Sequence, residues 1–386
     1  MNAPYREAIL EDKEKFQGRL GVQQRVLPAY RVAFFDMLAS ACEGGMHLFA
    51  GAPRPEESIQ VADELEVARY SLAHNLSFLQ VNSPIYFLWQ RGLIQWLKRL
   101  DPDALVLEAN PRYLSNRRAI RWMHARGHPV IGWGLGAPPI TDNFLADIQR
   151  ELRSSFLLSC DALIAYSQRG AEEYRALGFP AEKIFVASNA VSPPPDSPPP
   201  ERPPLFAHQP VVLFIGRLQA RKRIDNLLRT CAGLPSALQP RLVIVGDGPA
   251  REELQNLARE IYPNADFPGS RRGKELEPYF QQADLFVLPG TGGLAVQEAM
   301  AHGLPVLVAE GDGTQADMVR PENGWLIPPG DDNALGQTLQ AALSDPGRLR
   351  RMGLQSYRIA EREVNIQAMV QVFLRAIHTV RSFSRG

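Results

Sequence analysis

Short apolar runs alternate with amphipathic stretches along most of this chain. In the second half VVLFIG (211–216) precedes KRIDNLLRTCAGL, RLVIVG (241–246) precedes PAREELQNLARE, and ADLFVLP (283–289) precedes GLAVQEAMAHG, with LPVLVAE (304–310) after it. Continuous β-branched runs separated by helix-period segments predict parallel strands, buried on both faces and joined by crossover helices. The first half repeats the pattern more loosely. It predicts strands at Gly21–Leu27, Met46–Ala50, Ala104–Glu108, Pro129–Trp133, Ala162–Tyr166 and Lys183–Ala187, and one more helix is expected over 365–382. The fold class is α/β, with two Rossmann-like, doubly wound domains facing a central cleft.

The sharpest break is SPPPDSPPPERPP (192–204), in which eight of thirteen residues are proline. Proline lacks a backbone donor and fixes φ, so the segment reads as a stiff extended connector. The expected organisation is a domain over 1–192 with an extra helix at 1–18, a linker at 193–204, a second domain over 205–364, and a helix in 365–386 packing back on the first domain.

Composition narrows the class. With 386 residues, 45% of them hydrophobic, two cores are expected. Lys+Arg and Asp+Glu both total 42, and this balance argues against a nucleic-acid binder. Cys42, Cys160 and Cys231 are far apart and odd in number, so neither a disulfide framework nor a zinc site is expected. The N-terminus lacks the apolar stretch of a signal peptide. The apolar region 85–97 is interrupted by Gln90, Arg91 and Gln95 and is too short to span a bilayer. A soluble cytoplasmic protein is expected, touching the inner face of the membrane peripherally.

The candidate chemistry sits at strand ends. IGRLQARK (215–222), VGDGPAR (245–251) and LPGTGGLAVQE (288–298) each end a strand with glycine or proline. Ligands of open parallel sheets bind at those ends, and glycine lets backbone N–H groups approach a phosphate. Gly292 and Gly293 precede a helix expected from about Leu294 to His302, whose first N–H groups form an anion site. Arg217 lies in the turn after the first strand, and Lys222 is expected at the start of the next helix. A cation there opposes the helix dipole unless an anion offsets it.

The second half resembles the C-terminal domain of glycosyltransferase family 4, of GT-B fold, through GRLQARKRIDNLL, VGDGPAREEL, ADLFVLP, GGLAVQEAMAHGLPVLV and NGWLIPPGDDNAL. RVLPAYRVAFFDMLA, EANPRYLSNRRAIRWMHARGHPVIGWGLG, CDALIAYSQRGAEEYRALG and EKIFVASNAV carry a looser resemblance to the family's acceptor domain. The resemblance implies transfer of a sugar from a nucleotide-diphosphate donor, with retention and without a bound metal or cofactor. Arg217 and Lys222 match the pair that contacts the donor diphosphate. Glu298 matches the second glutamate of the family's Glu-x7-Glu motif, which holds ribose hydroxyls. Gly216, Gly246, Gly290, Thr291, Gly292, Gly293 and Leu294 would complete the donor site. Arg31, Trp133, Gly134, Leu135 and Gly136 would line the acceptor side, and Asp312, near the cleft with Asp317, could accept from donor hydroxyls. The acceptor would be a saccharide or a lipid-linked precursor.

Two positions depart from the family pattern. Gly290 replaces the first glutamate, and Leu135 stands where relatives often place a histidine. A nucleotide-sugar-binding subunit without turnover therefore remains an alternative, as does a nucleotide-sugar epimerase. Asp101 and Asp103 mimic a metal-binding D-x-D but precede a strand. His124 and His128 have a metal-like spacing at a fraying helix end. Arg112, Arg117, Arg118, Arg121 and Arg126 make a basic stretch over one expected helix. With the aromatics of 85–97, it suggests a weak contact with anionic lipid.

Overall fold

The computed structural model describes residues 15–54, 57, 59–78, 86–140 and 146–383. The chain forms two compact units, one of residues 1–191 with 366–386 and one of residues 192–365.

The first unit opens with β1 (Leu20–Val26), α1 (Val32–Ser40), β2 (Met46–Gly51), β3 (Arg69–Phe78), β4 (Phe87–Arg91) and α2 (Leu93–Leu100). It continues with β5 (Ala104–Glu108), α3 (Leu114–His124), β6 (Val130–Gly134), α4 (Ala146–Leu157), β7 (Ala162–Ala165), α5 (Gln168–Ala176) and β8 (Ile184–Val186). Its sheet runs β4-β3-β2-β1-β5-β6-β7-β8. All its neighbouring pairs are parallel except β3 with β4. That antiparallel hairpin was not foreseen. The apolar region 85–97 is neither one helix nor one strand: it splits into β4 and α2 around Gly92, at φ 91°. Tyr86 and Trp96 of this region are buried.

The second unit contains β9 (Val211–Ile215), α6 (Ile224–Gly233), β10 (Arg241–Val245), α7 (Arg251–Ile261), β11 (Ala265–Gly269), α8 (Glu277–Gln282) and β12 (Leu285–Leu288). After these come α9 (Leu294–Ala301), β13 (Val306–Ala309), α10 (Thr314–Met318), β14 (Gly324–Ile327), α11 (Asp332–Leu343) and α12 (Pro346–Arg362). Its all-parallel sheet runs β11-β10-β9-β12-β13-β14. This is the doubly wound order in which the first strand lies beside the fourth. The final helix, α13 (Ile366–Phe383), returns to the first unit, where Phe373 meets Phe34 and Trp133 edge-on at 5.0 Å each.

Two doubly wound α/β domains are therefore present, as the apolar pattern predicts. β11 and β14 escaped the pattern because ADFPG and GWLI carry too few β-branched residues to register. The proposed extra helix falls mostly on residues 1–14, outside the described part. Residues 15–18 are not helical, and Phe16 bridges to Cys42.

The proline-rich segment is not a free connector. Arg202 donates to the carbonyls of Ala283 at 2.9 Å, Phe280 at 3.0 Å, and His302 and Gly303 at 3.2 Å. Burial brings the Arg202 guanidinium down to about 10, helped by neighbouring Arg350. Arg350 in turn pairs with Asp284 at 2.8 Å and donates to the Pro203 carbonyl at 2.8 Å. The segment is thus bonded along the second unit. Prolines leave its own backbone few donors, so side chains make the attachment.

Candidate functional site

In the second sheet the strand order reverses between β9 and β12. The carboxyl ends of the strands at such a reversal are where open α/β sheets bind ligands. Gly216 and Arg217 follow β9, and 289–293 follow β12. Arg217 is exposed, and no carboxylate pairs with it among the described residues.

Beyond Arg217 the chain tightens into a 3₁₀ turn, Ala220–Lys222. Arg223 is left-handed at φ 55°, and only then does α6 begin. Lys222 therefore precedes the helix and does not occupy its first turn, which corrects the sequence expectation. Its ammonium donates to the Thr291 carbonyl at 2.5 Å. Arg221 donates to Thr291 Oγ1 at 3.0 Å, and the Thr291 N–H donates to the Arg221 carbonyl at 3.1 Å. The turn and the loop after β12 are thereby laced together. Burial, with Arg221 beside it, brings the Lys222 ammonium down to about 8.

This lacing explains Gly290. A Cβ there would lie 2.6 Å from Lys222 Cα and closer still to the Arg221 carbonyl oxygen. No side chain fits unless the turn moves away. Gly246 answers a similar approach, because a Cβ would overlap the Gly216 carbonyl. Asp247 organises that loop, accepting from Gly248 N–H at 2.7 Å and pairing with Arg251 at 3.1 Å.

Gly293 caps α9 without a side chain, and Gly292 sits against the Lys222 ammonium. Leu294 opens the helix and is exposed. Glu298, on its second turn, is half-buried, and burial pushes its carboxyl up. No protein donor or cation satisfies the Glu298 carboxylate among the described residues. Its backbone carbonyl accepts from His302 Nδ1 at 2.8 Å, and His302 stacks on Phe280 at 4.3 Å. One glutamine escaped the sequence analysis. Gln315 on α10 is buried and donates to the Gly292 carbonyl at 2.7 Å, while its own Oε1 has no partner among the described residues. Nothing in the local pattern marks it, since the contact is made only in three dimensions. Asp312 is exposed and accepts from the Thr314 hydroxyl at 2.6 Å and N–H at 3.2 Å, so it builds the turn before α10.

In the first unit, the carboxyl ends of β5 and β6 open onto a pocket of about 610 Å³. Trp133, Gly134, Leu135 and Gly136 line it, as do Glu108, Tyr166 and residues of α4. Arg31 does not reach it as expected. It is only 5% exposed, with its guanidinium 4.8 Å from the Trp133 ring and 5.9 Å from that of Tyr166, and it donates to Met369 Sδ at 3.6 Å. It supports the pocket's aromatic lining from the buried side. Glu108 was missed, although a carboxylate closing the apolar strand ALVLE is a legible sign. It accepts from Arg25 N–H at 3.1 Å and bonds Tyr113. Burial pushes the Glu108 carboxyl up against the opposing pull of Arg25, Tyr113 and Arg31.

The other candidates have structural roles. Asp103 accepts from Arg19 N–H at 2.7 Å, and Asp101 ends α2 at φ 46°. His124 meets Asp161 at 2.9 Å, and Asp161 also accepts from Val130 N–H at 2.7 Å. The arginine stretch is not one solvated helical face, because Arg112 and Arg126 flank α3. Arg117, Arg118 and Arg126 lie over the rings of Phe156, Trp89 and Trp122 at 5.6, 5.6 and 3.8 Å.

Residues 200–358 match the family described as glycosyl transferases group 1, and residues 46–193 match glycosyltransferase family 4. A GDP-mannose-dependent alpha-mannosyltransferase of Mycobacterium tuberculosis is 41% identical over 127 residues, 32% of this chain and 31% of the relative. The match thus spans under a third of that relative's length. Among solved structures, the lipopolysaccharide outer core galactosyltransferase WaaB superposes with a TM-score of 0.68 at 19% identity, over 94% of this chain and 99% of the other. HepE of Anabaena, in complex with UDP, gives 0.69 at 16% identity over 94% and 99%.

Proposed function

We propose, for a chain that belongs to glycosyltransferase family 4 and has the GT-B fold, that it moves a sugar from a nucleotide-diphosphate donor to an acceptor hydroxyl. The observation that carries this reading is the donor-side arrangement. A cation at about 8 is laced to a glycine loop, and a half-buried carboxylate without a partner among the described residues stands on the helix that follows. A diphosphate suits Lys222, exposed Arg217 and the start of α9. A pair of ribose hydroxyls suits Glu298, which as a carboxylate accepts and does not donate. A relative that uses GDP-mannose and a fold neighbour solved with UDP both support a nucleotide donor.

We read the transfer as retaining and metal-independent. The bond from the sugar carbon to the diphosphate oxygen breaks, and the acceptor oxygen bonds to that carbon on the same face. The acceptor's proton passes to the departing phosphate oxygen. Arg217 and Lys222 offset the charge that grows there. No base is then required at Leu135, and no metal is required at the diphosphate. The acceptor is a saccharide or a lipid-linked precursor.

Calorimetric titration with UDP and GDP tests the reading. At least one should bind the wild type, and Arg217→Ala and Glu298→Ala should each weaken it by roughly 1–3 kcal/mol with unchanged melting. Normal affinity in both variants would remove the basis for the assignment. One observation favours a second reading, a nucleotide-sugar-binding subunit without turnover: the space that a first glutamate would need is filled by the backbone of 221–222. Release of nucleoside diphosphate from mixed donors, with and without acceptor, separates the two.

A further inference from the structure

The pocket on the first unit has an unusual lining for a site that must receive hydroxyls. Leu135, Ile148 and Leu152 are 50%, 55% and 49% exposed, and all three line it. Ile148 and Leu152 stand four residues apart on α4, so they form one apolar stripe. Phe87, Trp133 and Ile140 extend the apolar wall. Large apolar side chains left open to water around one concavity mark a place that an apolar ligand covers.

Charge is distributed unevenly at the same pocket. Arg112 and Arg153 line it. Arg153 donates one N–H to the Pro138 carbonyl at 2.5 Å, yet its buried Nε has no partner among the described residues. Burial lowers the Arg153 guanidinium, and the like charges of Arg112 and Arg150 add to this against the opposing Glu173. An anion in the pocket would offset the like charges of Arg112 and Arg153.

We propose that this pocket binds the acceptor, and that the acceptor is a sugar carried on a lipid phosphate or diphosphate, with the hydrocarbon along Leu135, Ile148 and Leu152, the phosphate at Arg112 and Arg153, and a hydroxyl of the carried sugar as the accepting group. The inference rests on the glycosyltransferase reading above and selects between the two acceptor classes named there. A purely saccharide acceptor leaves the apolar stripe uncovered. A neutral lipid leaves the like charges of Arg112 and Arg153 uncompensated.

The test uses the full chain and farnesyl phosphate below its micelle concentration, with farnesol, geranyl phosphate and glucose 1-phosphate as comparisons. Farnesyl phosphate should bind at least tenfold more tightly than each of the others. Each methylene removed from an apolar site costs about fourfold in affinity, so the shorter chain must bind more weakly. Ile148→Asp and Leu152→Asp lie on exposed positions and should weaken farnesyl phosphate at least tenfold with unchanged melting. Arg112→Gln and Arg153→Gln should bring it toward the affinity of farnesol. Glucose 1-phosphate binding as tightly as farnesyl phosphate would overturn the proposal. So would farnesyl phosphate binding that ignores both aspartate substitutions, or that ignores both glutamine substitutions. UDP and GDP titrations on the same samples keep the two readings apart. If the wild type binds farnesyl phosphate as described but no nucleotide, the donor reading falls and the lipid-phosphate pocket stands. If nucleotide binds and farnesyl phosphate does not, only the lipid acceptor falls.

Discussion

Burial and the adjacent Arg221 guanidinium hold the Lys222 ammonium at about 8, so its charge changes within the range where the protein can be assayed. A free Lys side chain titrates near 10.4. The charged form is therefore disfavoured in the unliganded protein, and a diphosphate beside it would restore the proton. Binding then takes up a proton near pH 8. Below that pH Lys222 is already charged and affinity is at its highest; above it, affinity falls as the proton becomes harder to supply. Titrations with UDP or GDP from pH 6.5 to 9.5, in buffers of different ionisation enthalpy, should show proton uptake that sets in near pH 8 and grows above it. Lys222→Ala should abolish that uptake. It should also lower turnover by about 10²–10³, roughly 3–4 kcal/mol, because the cation meets charge that develops as the phosphate departs. Turnover should fall by more than donor affinity does. Proton uptake that persists in Lys222→Ala would assign the titration to another group.

At the scale of elements, the 3₁₀ turn 220–222 and the loop 289–293 behave as one unit, bonded through Thr291 and packed through Gly290. Gly290→Ala should strain this contact, costing about 1–3 kcal/mol as overpacking usually does, and should displace Lys222. Gly290→Glu should be more damaging and should weaken nucleotide binding as well. Melting curves and nucleotide titrations that match the wild type would show that the turn yields freely. This contact also shows what the sequence displayed and what it hid. Strands β9, β10, β12 and β13 were plain in their unbroken apolar runs, and the Gly-rich loops at their ends marked the candidate site. Lys222 was visible as a residue but misplaced onto the helix, because the left-handed Arg223 that separates turn from helix carries no glycine to announce it. The reason for Gly290 was invisible, since the backbone that excludes a side chain lies about seventy residues earlier. β4 was lost inside an apolar segment that also held α2. Nothing in the segment's proline pattern marked Arg202, and only folding brings the carbonyls of Phe280 and His302 to it.

For the molecule as a whole, the chain leaves its first unit at 191 and returns at 366, so the second unit is continuous in sequence and the first is not. The cores follow the same division. Residues from Val212 to Val364 make up one, whereas Ile366, Met369, Val370, Phe373, Leu374, Ile377 and Val380 of α13 join β1, α1 and β2 in another. Burying one such side chain is worth about 1.5–3 kcal/mol, and a domain's net stability is about 5–15 kcal/mol. Losing seven together exceeds what the first unit can tolerate. A chain ending at Asn365 should therefore lose the first unit's transition, or show it at a far lower temperature. The second unit should retain its transition, and UDP or GDP should still raise it. Residues 192–365 alone, which keep Arg202 and its carbonyl partners, should fold and bind the same nucleotide within a few-fold of the full chain. Differential scanning calorimetry with and without nucleotide reads both outcomes. A single transition lost entirely on removing α13, or a 192–365 fragment that does not fold, would mean that the second unit depends on the first for its stability, and the donor site would then have to be studied only in the intact chain.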